Sequence, residues 1–411
     1  MRIIHTADWH LGNCFHGHDR TAEHRHFLDW LLATLEERKP DALLVTGDIF
    51  DTPNPSAAAE ELLYTFLQKA TEAVPGLQVV LTAGNHDSAG RIDAPAALLR
   101  THNVYARGAV RRTENGEPDY GHFILPLSTR TDSEAACVCL ALPFLRCGDY
   151  PAGMTQQEGI ALYFERMHKL LRKSAFAGLP VIAAAHFYAS GADICKDGHS
   201  ERLVIGGQDC VEASVVGRGV CYTALGHIHK AQQVGGAANA FYAGSALPMS
   251  FSERGYRHGV RMADIDTDGD VSVSQIDYRP LRALRTIPAD GDAATPAGVM
   301  EEIAALPKRG KDTEGLDWPY LEIKVREERP EPSLLHDVME ALQDRAVHFC
   351  RMARVTCSRA AGDGDAKPAD SPQTLAPLEL ARRVYSGIYG TPMPAETESR
   401  FKEAESAAQE D

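Results

Sequence analysis

The chain has 411 residues, of which 44% are hydrophobic and 24% charged, and its formal net charge is -15. This balance is typical of a globular protein with a large core and two or three domains. No apolar stretch is long enough to span a membrane and no signal-peptide pattern is present, which argues against a membrane protein. The nine cysteines follow no framework spacing and favour a reducing, cytoplasmic location.

Five apolar segments, each predicted to be a strand, end in side chains that bind metals or transfer protons. They are residues 3–7 before Asp8 and His10, 42–46 before Asp48 and Asp51, 79–81 before Asn85, His86 and Asp87, 181–185 before His186, and 222–225 before His227 and His229. Ligands collect at the carboxyl ends of strands in open α/β sheets. A capping aspartate or a surface histidine would explain any one of these ends. All five together favour a single site.

The residue types of these motifs fit a centre that holds two metal ions. Two divalent ions about 3.5–4 Å apart can clamp the attacking and leaving oxygens of a phosphoryl transfer and activate a shared water. A bridging carboxylate offsets their repulsion, and Asp48 is the natural candidate. Imidazole, carboxylate and amide ligands suit manganese, iron or zinc. The motifs contain no cysteine, which argues against a closed structural zinc site.

The motifs together resemble those of a known enzyme superfamily, the calcineurin-like metallophosphoesterases. The matching patterns are Asp8-x-His10, Gly47-Asp48-x-x-Asp51, Gly84-Asn85-His86-Asp87, His186 and Gly226-His227-x-His229. Longer phrases are similar to the SbcD family of bacterial nuclease subunits, namely Asp8-Trp9-His10-Leu11-Gly12, Pro143-Phe144-Leu145-Arg146 and Ala224-Leu225-Gly226-His227-Ile228-His229. The resemblance covers residues 1–280 closely and the remainder in outline.

The resemblance implies two divalent ions, with manganese expected and magnesium, iron or zinc as alternatives. It implies that one ion is held by Asp8, His10, Asp48 and His229. It implies that the other ion is held by Asp48, Asn85, His186 and His227. His86 matches a catalytic histidine that meets the phosphate or the leaving oxygen, with Asp87 as its orienting partner. Some relatives have a histidine at the position of Asp51, so its part in handling DNA stays open. For His16 and His18, a polar loop beside the substrate is favoured over a metal role.

Helical periodicity separates the first strands. Residues 24–38 are predicted to form an amphipathic helix, and Ser56 is predicted to cap a second helix that stops before Pro75. Alternating strands and helices indicate a covered sheet, and the later strands are predicted to be joined by longer loops. The predicted fold class is α/β (α+β). The resemblance implies a two-sheet β-sandwich flanked by helices, with a small α/β capping domain.

The last third of the chain changes pattern. A hairpin over residues 259–276 turns at Asp268 and Gly269 and is predicted to close a nuclease domain, 1–280. A capping domain, 281–358, is predicted from three strands (283–287, 320–325 and 347–355) and two helices (298–306 and 333–342). Residues 359–373 are predicted to be a linker. Residues 374–411 are predicted to form a helical segment that binds a partner or packs on the capping domain.

The function expected from the resemblance is a metal-dependent DNA nuclease subunit. It would act as an exonuclease on double-stranded ends and as an endonuclease on hairpin DNA, with an SbcC-like ATPase, as a homodimer within a heterotetramer, in DNA repair and recombination. The acidic net charge weighs against DNA binding, although arginines gather locally at 107, 111 and 112 and at 254, 257 and 261. The alternatives are a phosphoprotein or cyclic-nucleotide phosphoesterase, and a non-catalytic scaffold.

Overall fold

The structure is a computed structural model of the chain. It describes residues 1–193, 210–310, 315–327 and 331–356, and scattered positions after 377. The contacts divide the chain into two compact units, Met1–Thr356 and Cys357–Asp411. The predicted linker at 359–373 lies outside the described residues. Of the predicted C-terminal helix only single positions are described, among them Leu378 and Tyr385, which are helical.

Strands and helices alternate near both ends of the first unit, and strands predominate between them. The strands are β1 (Arg2–Thr6), β2 (Cys14–Phe15), β3 (His18–Asp19), β4 (Ala42–Thr46), β5 (Gln78–Thr82), β6 (Val104–Arg107), β7 (Ile124–Ser128), β8 (Ala135–Ala141), β9 (Val181–His186), β10 (Val220–Gly226), β11 (Gln232–Gln233), β12 (Ala240–Tyr242), β13 (Gly259–Ile265), β14 (Val271–Asp277), β15 (Leu284–Ile287), β16 (Tyr320–Glu327) and β17 (His348–Thr356). The helices are α1 (Thr21–Arg38), α2 (Ala57–Ala73), α3 (Ala89–Asp93), α4 (Ala96–Leu99), α5 (Gln156–Leu171), α6 (Pro296–Ala304) and α7 (Leu334–Leu342). None of the described helices is long and apolar enough to cross a bilayer.

Two six-stranded sheets pack face to face. The first has the order β14-β13-β1-β4-β5-β6 and the second the order β11-β12-β10-β9-β8-β7. Their facing side chains form one core, in which Leu44 and Val80 of the first sheet pack with Ile182 and Ala224 of the second. Helices α1 and α2 cover the outer face of the first sheet, and α5 covers that of the second. The predicted two-sheet sandwich flanked by helices is therefore confirmed.

The first two helices form where the sequence pattern predicts them. In α1 the side chains of Phe27, Leu31 and Leu35 recur at helical spacing and are fully buried. The Ser56 hydroxyl accepts the Ala59 N–H at 3.3 Å, as expected for the cap of α2. Helix α1 begins at Thr21, three residues before the predicted start. Apolar periodicity identifies a helix but does not fix the residue at which it begins.

Helix α5 occupies a region for which the sequence analysis predicts only strands and longer loops. Its N-terminus is a capping box, in which the Thr155 hydroxyl accepts the Glu158 N–H at 3.2 Å and the Glu158 carboxylate accepts the Thr155 N–H at 2.8 Å. Tyr163, Phe164 and Met167 are buried against the second sheet. The Thr-x-x-Glu pattern before this apolar spacing is the signal that could have identified the helix.

The elements predicted for residues 259–355 all form. Strands β13 and β14 are an antiparallel hairpin, and β15, β16 and β17 form a parallel three-stranded sheet packed on α6 and α7. A buried polar cluster joins this small sheet to the start of α1. In it the Glu23 carboxylate accepts hydrogen bonds from Arg20, from Arg282 and from the Tyr320 hydroxyl. The domain boundary near residue 280 stays a prediction.

Candidate metal centre

Five strand ends converge at one edge of the sandwich. Strands β1, β4 and β5 are parallel neighbours in the first sheet, and β9 and β10 are parallel neighbours in the second. The loops that follow are strained, because Asp8, His10, Asp48 and His227 all have positive φ, at 51°, 47°, 47° and 107°. Only a few per cent of non-glycine residues adopt this conformation, and such residues cluster at functional sites. The strain aims these side chains into the space between the two sheets.

Seven acidic and histidine side chains form three overlapping groups. Within each group the potential ligand atoms all lie within 4.8 Å of one another, and the groups are Asp8, His10 and His229; His10, Asp48 and His86; and Asp48, His186 and His227. Asp48 and His10 each belong to two groups. The arrangement therefore offers two adjacent places for a cation, with Asp48 between them.

Hydrogen bonds fix the two aspartates. Both carboxylate oxygens of Asp8 accept the His227 N–H, at 3.0 and 3.1 Å. The Oδ1 atom of Asp48 accepts the His86 N–H at 2.8 Å. Its Oδ2 atom lies 3.4 Å from His186 Nε2 and 3.9 Å from His10 Nε2. The Oδ2 atom of Asp48 therefore faces one histidine from each of the two places for a cation.

Asn85 completes the group of Asp48, His186 and His227. Its amide oxygen lies 2.9 Å from His186 Nε2 and 3.0 Å from His227 Nδ1. His186 Nδ1 donates to the Thr46 carbonyl at 2.9 Å, which leaves Nε2 with a lone pair in the neutral ring. Neighbouring ligand atoms of an octahedral ion with bonds of about 2.1 Å lie about 3 Å apart. The spacing around Asn85 matches that of ligands to one ion.

His10 lies at the centre of the other place. It is 2% exposed, and neither of its ring nitrogens has a hydrogen-bond partner among the described residues. Leaving buried polar atoms unsatisfied costs about 1–3 kcal/mol. The Asp51 carboxylate lies 3.4 Å from His10 Nδ1, too far for a good hydrogen bond. A cation bound to one ring nitrogen of His10 would remove the cost of that atom, so the side chains present fit a metal ion.

The charges of the centre also favour a cation. Burial alone would lower the pKa of His186, but the Asp48 carboxylate reverses this and raises it to about 9. Burial and the charge of His186 lower the pKa of His227 to about 3. Burial opposes ionisation of Asp48, yet His186 holds its pKa well below the usual range. The site thus stabilises a positive charge beside Asp48 and keeps His227 neutral, and a metal ion at His186 Nε2 would take the place of the proton that Asp48 favours there.

Two glycines leave room for the ligand side chains. A Cβ atom on Gly84 would lie 2.1 Å from Asp48 Oδ1, and one on Gly47 would lie 2.2 Å from His186 Nδ1. Gly47 has a φ of 85°, but Gly84 lies outside the left-handed region. Gly84 is therefore needed for the space it leaves and not for a left-handed backbone conformation.

Asp87, which is predicted to orient His86, makes its hydrogen bonds in the described structure to backbone groups. Its buried carboxylate accepts the N–H groups of Ile49, Phe50 and Gly84, at 3.1, 2.9 and 2.8 Å. The His86 ring is oriented instead by the carbonyl of Asp51, which lies 2.9 Å from His86 Nδ1. Three backbone donors satisfy Asp87 more fully than one imidazole could. Asp87 thus fixes the loop after β4.

Two residues that the sequence analysis does not assign support the centre. Glu253 is buried, lies 3.2 Å from His229 Nδ1 and accepts the Met249 N–H at 2.9 Å. Arg146 donates to the carbonyls of Gly84 and Asp87, at 3.2 and 2.7 Å. Glu253 stands in no recognisable motif. Arg146 is the last residue of the Pro143-Phe144-Leu145-Arg146 phrase, and this phrase is the sequence signal that could have identified it.

His16 and His18 lie beside the small sheet. His18 Nε2 is 2.9 Å from the Phe349 carbonyl, and the His16 ring packs 5.7 Å from that of Phe251. Neither belongs to the three groups found among the described residues. Their contacts favour the predicted polar loop over a metal role.

Two protein families and several individual proteins match this chain. The calcineurin-like phosphoesterase family matches residues 1–231, and the type 5 capsule protein repressor C-terminal domain family matches residues 278–387. The chain is 37% identical to the SbcD subunit of nuclease SbcCD from Rhodobacter capsulatus, over 95% of this chain and 93% of that protein. It is 30% identical to the SbcD subunits from Escherichia coli K12, over 84% and 81% of the two chains, and from Bacillus subtilis, over 80% of each.

Gly84→Ala should weaken metal binding without unfolding the protein, because the added methyl group displaces the Asp48 carboxylate. Titration with manganese followed by calorimetry should give a loss of affinity on the order of 10–100-fold, the range typical of a disturbed ligand shell. Gly90→Ala is the matched control, since a Cβ there meets nothing within 4 Å. Equal manganese affinity in both variants would contradict the steric argument.

Proposed function

The chain belongs to the calcineurin-like phosphoesterase family and, within it, to the SbcD nuclease subunits, and we propose that it is the DNA-cleaving subunit of an SbcCD-type nuclease. The substrates proposed are double-stranded DNA ends and hairpins, and the process is DNA repair and recombination. The observation that carries the proposal is Asp48, buried between two groups of metal-binding side chains. A bridged pair of cations is the arrangement that phosphodiester hydrolysis uses.

We assign the ligands as two sets that share Asp48. One set is Asp8, His10, Asp48 and His229, and the other is Asp48, Asn85, His186 and His227. We propose manganese, because carboxylate, imidazole and amide donors without thiolate suit it. When bound, such ions lower the pKa of a water molecule and polarise the phosphoryl oxygens. The Asp48 carboxylate, shared by both sets, would offset the repulsion between two bound ions.

His86 is proposed to act on the substrate. Its Nδ1 donates to the Asp51 carbonyl, which fixes the ring and leaves Nε2 to meet a phosphate oxygen or the leaving oxygen. Its partial exposure keeps it accessible to substrate. Glu253 is proposed to hold the ring of His229 from behind, as carboxylates commonly do for metal-bound histidines.

The assembly is proposed from the names of the relatives. We propose an SbcC-like ATPase partner, a nuclease domain at 1–280, a capping domain at 281–358 and a linker at 359–373, with 374–411 as the partner-binding region. We also propose a homodimer within a heterotetramer. Two exposed apolar side chains support a further protein contact, namely Tyr64 on α2 and Leu98 on α4, which are 36% and 69% exposed.

The substrate class is tested by assaying the purified chain with manganese against several phosphoesters. We expect cleavage of duplex and hairpin DNA and of bis(p-nitrophenyl) phosphate, and little turnover of a phosphopeptide or a cyclic nucleotide. Preference for either of the last two would establish the alternative phosphoesterase. No hydrolysis of any of these by metal-loaded protein would favour the scaffold.

His86→Ala should keep both metal ions while DNA cleavage falls by a factor on the order of 10²–10⁴, the usual effect of losing a positioned acid or electrostatic group. Metal content by mass spectrometry and single-turnover cleavage measure the two properties separately. His102→Ala is the control, because this exposed histidine lies outside the three groups. Since His86 lies within reach of His10 and Asp48, loss of one ion in His86→Ala would make it a ligand instead.

Deletion of residues 374–411 should abolish association with an SbcC-like ATPase while leaving manganese-dependent cleavage of a short substrate intact, because the ligand sets all lie before residue 230. Size-exclusion chromatography of each form with the partner measures association. Undiminished co-elution of the truncated chain would place the partner site elsewhere.

A further inference from the structure

A basic cleft opens at the lateral edge of the sandwich, where the outermost strands β6 and β7 of the two sheets lie side by side. We call it the β6–β7 cleft. Its volume is about 640 Å³, and its charged lining residues are Arg100, Arg107, Arg111 and Asp119. Three guanidinium groups against one carboxylate leave a local excess of two positive charges. This excess stands out in a chain whose formal net charge is -15.

Arg107 is the buried member of this set. It is only 8% exposed, so it does not belong to the surface group of arginines that the sequence suggests. Its guanidinium donates to the carbonyls of His122 and Ala106, both at 2.7 Å. Among the described residues no carboxylate lies within 4.0 Å of it. Burial, with Arg100 adding to it, lowers the pKa of Arg107 to about 10.

The charge of the Asp93 carboxylate raises the pKa of Arg107, but this carboxylate already has two backbone hydrogen-bond donors. It accepts the N–H groups of Gly108 and Ala109, at 2.6 and 2.9 Å. A buried guanidinium without an ion-pair partner is costly, and an anion that entered the cleft would offset that cost. Arg100 and Arg111 are exposed and able to contact the same anion.

The cleft begins next to the candidate metal centre. Arg107 pairs with Thr82 at the carboxyl end of β5, and its carbonyl accepts the Ala83 N–H at 3.0 Å. Asn85 follows two residues later. A DNA strand carries one phosphate for every 3.4 Å of helix axis or so. A strand with one phosphate at the metals would reach this edge within a few nucleotides if it ran toward β6.

We propose that the β6–β7 cleft binds a phosphate group through Arg100, Arg107 and Arg111. The phosphate belongs either to the backbone of a nucleic acid that leads away from the metal centre or to a free phosphate or mononucleotide. Binding of a nucleic-acid backbone rests on the proposed function, whereas binding of a free phosphate or mononucleotide does not. Guanidinium groups suit this ligand, since their donors match phosphate oxygens in bidentate pairs.

The test uses the full chain with Arg100→Gln and Arg111→Gln combined, which removes two exposed charges and leaves the buried Arg107 in place. DNA affinity is measured by fluorescence anisotropy in EDTA over a range of salt concentrations. We expect binding to weaken on the order of 10-fold and the salt slope to fall by about 2, because each arginine removed no longer neutralises a phosphate. Arg218→Gln removes an equally exposed arginine before the amino end of β10 and should leave both values unchanged.

Thermal unfolding with inorganic phosphate or dAMP separates the two sources. A rise in unfolding temperature of about 2 °C in wild type, absent from the double variant, with unchanged DNA affinity, would identify a site for free phosphate. Unchanged DNA affinity together with an unchanged response to phosphate would overturn the proposal. Manganese-dependent hydrolysis of bis(p-nitrophenyl) phosphate should persist in the double variant. Failure of wild type in that assay would count against the proposed function and not against the cleft.

Discussion

The placement of Asp48 between the two sheets is the constraint on which the rest of the site depends. Its carboxylate is 2% exposed and serves histidines of both metal-binding groups. The backbone at Asp8, His10 and Asp48 is strained, at a cost of roughly 1–3 kcal/mol each. Hydrogen bonds between the two loops hold this conformation, since the N–H groups of Asp8 and His10 donate to the carbonyls of Gly47 and Asp48, both at 3.0 Å.

The surrounding structure fixes that pair of loops from several sides. Asp87 accepts three backbone N–H groups around the β4 loop, and Arg146 donates to the carbonyl of Asp87. From the side of the small sheet, Arg20 pairs with Glu23 and donates to the carbonyl of Pro248 at 2.8 Å. Because these groups are buried and mutually satisfied, the metal-binding side chains sit on a rigid frame, which favours their preorganisation.

Local sequence patterns account for most of the fold and for where the candidate ligands lie. Apolar strands that end in metal-binding residues identify the five strand ends, since strand and ligand are contiguous in the chain. The Asp268-Gly269 turn likewise identifies the hairpin of β13 and β14. Features that arise from contacts between distant segments could not be predicted in this way. Glu253 meets His229 across 24 residues, and Arg107 donates to the His122 carbonyl across 15 residues.

The central claim is that Asp48 holds two ions at once, and counting metal ions tests it most directly. Manganese-loaded wild type and Asp48→Ala would be desalted and analysed by inductively coupled plasma mass spectrometry, with the exposed Asp29→Ala as control. We expect two ions per chain in wild type and in Asp29→Ala, and none in Asp48→Ala, because neither ligand set survives and the repulsion between the ions is no longer offset. Two ions retained in Asp48→Ala would contradict the bridging role of Asp48.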